Sequence, residues 1–432
     1  MIGAAAALTV AAASQAHALD LNAEPGLITE TVASRDRLKY YDNLKIYGVE
    51  SVSERPRVYA MPDGVRLGNF LAFPSVEETA VYDSNIFGTA TNAEADWRSE
   101  LKAALSVQSQ LPRHQLLFNL NGKLVNYLNN PDQDHADGDA HIRGSIDVDH
   151  ANAISASLNT EYKHEDLSAS TVSRNAGEPI PVWRNGISAG WTHDAGLLYG
   201  TWSATAENRD YFSVKALDGS TLDQNFRDQT MYSTTLRGGY RFSPGYEAIG
   251  KVRAVRLTNE GDETTDRDSY GYEALAGVGW ETNPLVSWML IGGYGIRDYD
   301  RTDLDRLATY LVEGQVRWLP SQRLSLYATA RRTIDDELGA SDSGRINTSL
   351  DVRAEYDIYH NLVAVAAAGW QEGEFIGVDR TDTTFSAGAE LQYFYTKNML
   401  FTLGYEFDRR DSTQDDFDLD RHQVRIGGKL RF

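Results

Sequence analysis

The chain has 432 residues, 24% charged, 41% hydrophobic and 10% aromatic, with a formal charge of −21 and no cysteine. The missing cysteines exclude a disulfide framework, a thiolate zinc site and cysteine nucleophiles, and the acidic balance argues against nucleic-acid partners, which need a basic face. A mean hydropathy of −0.44, with no apolar run of about 18 residues past the N-terminus, excludes a helical membrane protein and leaves a soluble all-β protein or a membrane barrel.

Taken in chain order, Ile2 to Ala13 are almost wholly small and apolar, and Ala16-His17-Ala18 is an A-x-A site. Residues 1–18 therefore read as a secretory signal peptide, although the usual positive n-region is missing, with no Lys or Arg before Arg35. Export without cysteine fits the envelope of a Gram-negative bacterium better than a disulfide-stapled secreted domain. Residues 19–65 lack a strand period; Arg35, Asp36, Arg37 and Lys39 are followed by Tyr40-Tyr41-Asp42 and Glu54-Arg55-Pro56-Arg57. They are expected to form a periplasmic N-terminal extension, ahead of a barrel over 66–432.

From about Arg66 onward apolar and polar residues alternate in segments of ten residues or more, the period of a strand. In the last segment Val424, Ile426, Gly428, Leu430 and Phe432 share one face, and Gln423, Arg425, Gly427, Lys429 and Arg431 share the other. Ile346, Thr348, Leu350, Val352 and Ala354 likewise oppose Asn347, Ser349, Asp351, Arg353 and Glu355. Short turn-like links recur at Leu111-Pro112-Arg113, Asp149-His150-Ala151-Asn152, Asp194-Ala195-Gly196, Ser243-Pro244-Gly245, Asn283-Pro284, Leu319-Pro320-Ser321-Gln322, Tyr359-His360-Asn361 and Thr396-Lys397-Asn398. Longer acidic links lie between them, as at Asn130 to Asp139, Asn259 to Asp268, Asp335 to Ser343 and Asp411 to Asp420.

Eight short turns alternating with nine long links predict about eighteen strands, sixteen being the nearest alternative. The expected fold is all-β: a transmembrane up-and-down antiparallel β-barrel with short periplasmic turns and longer acidic outer loops. Closure removes the exposed edges of so wide a sheet, and in lipid only closure satisfies every backbone polar group. Tyr270, Trp280, Trp288, Tyr299, Tyr310, Trp318, Tyr393 and Tyr395 lie near strand ends, where aromatic rings form the membrane girdles.

One stretch carries a family resemblance. Met61-Pro62-Asp63-Gly64-Val65-Arg66-Leu67-Gly68-Asn69-Phe70-Leu71-Ala72-Phe73-Pro74-Ser75, followed by Val81-Tyr82-Asp83-Ser84-Asn85-Ile86-Phe87, resembles the putative beta-barrel porin type 2 family. Asp96, Arg113-His114 and Tyr127 also fall where that family carries these residue types. The resemblance implies an outer-membrane barrel associated with capsule or exopolysaccharide export. Phe432 is similar to the C-terminal aromatic that serves as the signal to the barrel-assembly machinery.

Chemistry beyond a pore is not expected. Gly-x-Ser-x-Gly, His-Glu-x-x-His and the P-loop are absent, so neither an enzyme nor a cofactor is called for. Asp132, Asp134, Asp137 and Asp139 around Gly138, and Asp415, Asp416, Asp418 and Asp420, lack the full EF-hand spacing; they read as solvated loop surface that can bridge loosely to lipopolysaccharide through divalent ions. With the polar face inward, Lys123, Arg143, Lys163, Arg209, Arg237, Arg241, Lys251, Arg253, Arg297, Arg317, Arg331, Arg353, Arg425, Lys429 and Arg431 line a lumen. Asp147, Glu161, Glu207, Glu273, Glu313, Asp351, Glu355, Glu390 and Glu406 oppose them. This predicts a basic excess inside and acidic vestibules outside, with cross-strand pairing as the main role of most of these groups.

The leading functional expectation is a passive conduit for a surface polysaccharide, working with periplasmic or outer-membrane export proteins. A general or anion-preferring diffusion porin is the alternative, and a plugged structural or adhesive barrel the third reading. The expected partners are outer-membrane lipid and lipopolysaccharide, the assembly machinery, the export proteins and the polysaccharide, with no nucleic acid.

Overall fold

A computed structural model describes residues 51–52, 62–259, 266–283, 285–301, 304, 306–335 and 344–432. The expected signal peptide and almost all of the expected extension lie outside these residues. Eighteen strands form the barrel: β1 (Phe70–Asp83), β2 (Asp96–Ser109), β3 (His114–Tyr127), β4 (His135–Asp147), β5 (Asn152–Glu165), β6 (Ile180–Asp194), β7 (Leu198–Tyr211), β8 (Gln229–Ser243) and β9 (Tyr246–Asn259). The second half comprises β10 (Ser269–Asn283), β11 (Val286–Tyr299), β12 (Leu307–Ser321), β13 (Leu324–Asp335), β14 (Arg345–Tyr359), β15 (Leu362–Phe375), β16 (Thr381–Thr396), β17 (Met399–Ser412) and β18 (Leu419–Arg431). Each pairs antiparallel with its sequence neighbours, and β1 closes the cylinder on β18, from Ser75 opposite Arg431 to Asp83 opposite Gln423. A three-residue strand, Val65–Leu67, folds back on Phe70–Ala72 just ahead of the barrel.

Helical structure among the described residues is confined to three single 3₁₀ turns, Pro131–Gln133, Asn225–Arg227 and Asp415–Phe417, and no described helix is long and apolar enough to cross a membrane. A strand of 14 residues, as in β1, rises about 3.3 Å per residue. Tilted by about 40°, it spans roughly 35 Å, enough to cross the apolar band and its interfaces.

Alternation decides which face each residue takes. In β18, Arg421, Gln423, Arg425, Lys429 and Arg431 point inward, while Ile426 and Leu430 point to lipid; Ile426 is 54% exposed and Arg431 1%. The short links join the strand ends assigned to the periplasm and the long ones the outer ends. The structure differs from expectation at the start of β4 and in the facing of Tyr299. His135 already begins β4, so Asp137 and Asp139 belong to a strand wall rather than to an acidic loop. Tyr299 also departs from its expected girdle position: it registers opposite Ser269, which is 1% exposed, and so takes the inward phase of β11. Tyr270, Trp280, Trp288, Tyr310, Trp318, Tyr393 and Tyr395 take the outward phase, with Trp280 and Trp288 opposite each other across β10 and β11.

Candidate functional site: the lumen and its outer constriction

Strand phase puts all of the expected lining residues on the inner wall. Most of the charged ones pair there: Lys163 with Glu161 at 2.9 Å, Arg209 with Glu207 at 2.7 Å, Arg241 with Asp194 at 2.8 Å and Lys251 with Glu313 at 2.5 Å. Arg253 pairs with Glu273 at 3.1 Å, Arg353 with Glu355 at 3.0 Å, Arg425 with Glu406 at 2.7 Å and Lys429 with Glu77 at 3.6 Å. Arg143, Arg237, Arg297 and Arg317 lie on the same wall, and Arg431 stacks over Phe394 at the periplasmic end. Lys123, Asp351, Glu390 and Arg425 of the candidates converge on one space, a chamber of about 370 Å³ towards the outer half of the lumen.

The chamber's roof was not visible as such in the sequence. The link between β5 and β6, residues 166–179, folds inward and is tied to walls far from its own strands. Arg421 of β18 donates to Ser168 Oγ at 2.8 Å and to Asp166 at 3.2 Å. Arg410 of β17 donates to the Ser168 carbonyl at 2.9 Å, and Arg345 of β14 to Ser170 Oγ at 3.0 Å. From the loop itself, Arg174 donates to the Gly88 carbonyl at 3.0 Å. Gly88 has φ +60°, and a Cβ there would stand 2.3 Å from Ser168 Cα, so no larger residue lets the two loops meet this closely. Beneath these polar ties the loop has its own apolar core, where Leu167, Val172 and Ala176 pack with Ile180, Val182, Tyr211 and Val214.

Asp83, fully buried at the end of β1, holds the outer wall together. Arg98 donates to it at 2.8 Å, Arg421 Nε at 3.0 Å to both oxygens, Gln423 at 2.7 Å and the Asn85 amide at 3.0 Å. Asn85 in turn bonds the Thr89 backbone in both directions and the Asp420 carbonyl, and Phe87 packs against the core of the inward loop. The Tyr82-Asp83-Ser84-Asn85-Ile86-Phe87 motif is thus the socket into which the loop docks. Motif membership was the available signal for Asp83, which sequence reasoning had not singled out as a site residue. Asp96 does similar work one loop on, accepting from the amides of Trp97, Asn129 and Asn130.

The charges around the chamber nearly balance, whereas the basic excess was the expectation for the lumen as a whole. Around the chamber stand six cations, Arg98, Lys102, Lys123, Arg410, Arg421 and Arg425. Seven carboxylates face them, Glu77, Glu100, Glu165, Asp166, Asp351, Glu390 and Asp408. Glu77, Glu100 and Asp408, which share the inward phase, supply three of these carboxylates. Within the loop, desolvation raises the Asp166 carboxyl, but Arg421 and the Ser168 hydrogen bonds outweigh it and hold the group below its usual range. Burial, reinforced by nearby Arg380, pushes the Arg174 guanidinium down to about 10. Arg174 and Arg410 hydrogen-bond backbone carbonyls and, among the described residues, no carboxylate; Arg410 Nη2 has no partner. No cluster among the described residues could hold a metal ion.

Residues 58–432 match the model of the family described as Putative beta-barrel porin 2. No curated protein matches the chain. Among solved structures, Pseudomonas aeruginosa OccK2 (OpdF) in complex with glucuronate is similar over 84% of this chain and 98% of its own, at 11% identity and TM-score 0.47. Pseudomonas aeruginosa OpdO is similar over 84% and 97%, at 13% identity and TM-score 0.46. The copper transporter OprC is similar over 86% and 82%, at 9% identity and TM-score 0.47.

Proposed function

The chain belongs to the Putative beta-barrel porin 2 family of outer-membrane barrels, and on that premise we propose that it is a non-enzymatic, gated conduit through which a surface polysaccharide leaves the cell. The observation that supports this reading is the outer constriction. A loop tied across the lumen by Arg345, Arg410 and Arg421 suits a channel that rests narrowed and opens on demand. The chamber wall also suits a hydroxyl-rich chain: Thr79, Gln371, Thr384, Ser386 and Thr402 alternate with paired charges, giving many neutral hydrogen-bonding groups and little net field.

The experiment is deletion of the gene, scored together for surface polysaccharide and small-solute uptake. The expected result is loss of surface glycan, periplasmic accumulation of polymer and unchanged uptake. Intact glycan with reduced uptake would replace the conduit by a porin. The anion-preferring porin has one observation in its favour, the guanidiniums of Arg174 and Arg410 beside the constriction, which among the described residues hydrogen-bond no carboxylate. Under a KCl gradient that reading requires a chloride-directed reversal potential that Arg410→Ala abolishes. Phe432 fits the assembly-signal role by position: its side chain is exposed on the outer wall while its amide donates to the Pro74 carbonyl at 3.0 Å.

A further inference from the structure

Beside the inward loop, guanidiniums and aromatic rings form a column. Arg345 of β14 lies 5.5 Å from the Phe375 ring, Arg380 4.2 Å from the same ring and 3.4 Å from Phe417, and Arg174 of the loop 4.8 Å from Phe417. Arg410 of β17 joins them by donating to the Phe417 carbonyl at 2.6 Å. Gathered this way, like charges repel, and a buried charge without a counter-charge is costly. Two of the four are neutralised: Arg345 donates to Asp335 at 2.7 Å and Arg380 to Asp382 at 2.9 Å. Arg174 and Arg410 hydrogen-bond only carbonyls among the described residues. The carboxylates on Arg410's stretch of wall are committed elsewhere, Asp382 to Arg380 and Ser412, and Asp408 to Ser386; Asp416, beside Phe417, is exposed. Arg410 is the sharper case. It is 2% exposed and lines the chamber, and its Nη1 donates to the Ser168 carbonyl at 2.9 Å while Nη2 has no partner. A guanidinium presents a planar fork of N–H groups that matches a carboxylate; here the two Nη groups meet a single neutral carbonyl.

We propose that Arg410, with Arg174 beside it, is a binding site for a carboxylate carried on the exported glycan, which exchanges for the Ser168 carbonyl as the loop yields. A charged acceptor holds a guanidinium roughly twice as strongly as a neutral one, and an anion here relieves the burial and the Arg380 charge that depress the basicity of Arg174. The site rests on the conduit reading for its polymer and adds the class, a hydroxyl-rich chain bearing acidic groups. The chamber as a whole does not supply this preference, because seven carboxylates face six cations there; it comes from these two guanidiniums.

The test titrates the full-length protein in detergent, by calorimetry, with short carboxymethyl-dextran and with unmodified dextran of the same length. The carboxymethylated chain is expected to bind at least ~10-fold more tightly, the worth of one hydrogen-bonded charge. Arg410→Gln and, separately, Arg174→Gln are each expected to shrink that ratio by ~3-fold or more. The ratio cancels general changes in the loop, and heat-modifiable migration verifies that each variant folds. Equal affinities for the two chains, or a ratio unchanged in every folded variant, overturns the proposal. So does sodium acetate that competes as well as the polymer at equal carboxylate concentration, since the site then takes small anions. Surface glycan lost on gene deletion, with equal binding of the two dextrans, keeps the conduit and removes this site. Glycan retained, with a preference that depends on Arg410, removes the conduit and keeps the site.

Discussion

The two ends of the lumen are held by opposite chemistries. At the outer end a polar loop is held by guanidiniums reaching from three strands, with Asp83 and Asp166 as counter-charges. At the periplasmic end Val52 sits in an aliphatic and aromatic socket, its amide donating to the Ser325 hydroxyl. Charge-assisted ties are directional and respond to pH. Apolar contact responds to neither pH nor salt in that way, and it releases when a competing apolar surface arrives. The difference teaches that the outer ties are tuned by ionic conditions and the packing at the periplasmic rim is not.

The comparison breaks most decisively at Asp83. Asp83→Ala leaves Arg98 and Arg421 without their shared partner, and removing one member of a buried pair costs about 3–5 kcal/mol. Thermal unfolding of the refolded barrel should fall steeply; a stability within 1 kcal/mol of the parent, on the roughly ±0.5 kcal/mol scale of ordinary surface changes, would show that the outer wall does not depend on this junction. Gly88→Val comes next, placing a branched side chain where φ is +60° and Ser168 is in contact. Strain of about 1–3 kcal/mol is expected, together with higher single-channel conductance as the inward loop is displaced.

Acid sharpens the contrast. Asp166 has a folded value below its ordinary 3.8, so its contribution is fully present above pH 3.8 and is lost as pH falls through the lower folded value. Conductance should therefore rise below about pH 4 through loosening of the outer loop, and Asp166→Asn should remove much of that dependence. In the same titration the thiol of Val52→Cys should stay protected, since the side chains packed around it, Val363, Val365, Phe394 and Leu400, do not titrate. The smallest effect belongs to Lys397→Ala, which removes an exposed pair with Asp63. Such surface pairs contribute little, and melting should be unchanged.

How much of this was legible follows from the range over which each cause acts. Alternation is a property of neighbouring residues, because successive strand side chains point to opposite faces. It was therefore enough to place Lys123, Lys251, Glu313 and Arg425 on the inner face, and the rhythm of turn chemistry was enough to reach eighteen strands. It failed at Tyr299, where nearness to a strand end suggested a girdle while the phase of β11 turns the ring inward. It also passed over Glu77, Glu100 and Asp408, which share the phase of the cations they face around the chamber.

The sequence by itself determined the architecture, the two faces of each strand and the family motif, since all three rest on short-range order. Only the tertiary structure decided that residues 166–179 turn into the lumen. Their Ser, Thr and Asn composition is that of any solvated loop, and the groups that hold Ser168 lie more than 240 positions away in Arg410 and Arg421. The same holds for Val52, one small apolar residue in a charged stretch, whose meaning depends on four side chains that β15, β16 and β17 bring together at the rim. Docking of this kind is set by the sum of distant contacts after the cylinder has closed, and no local pattern in the chain encodes it.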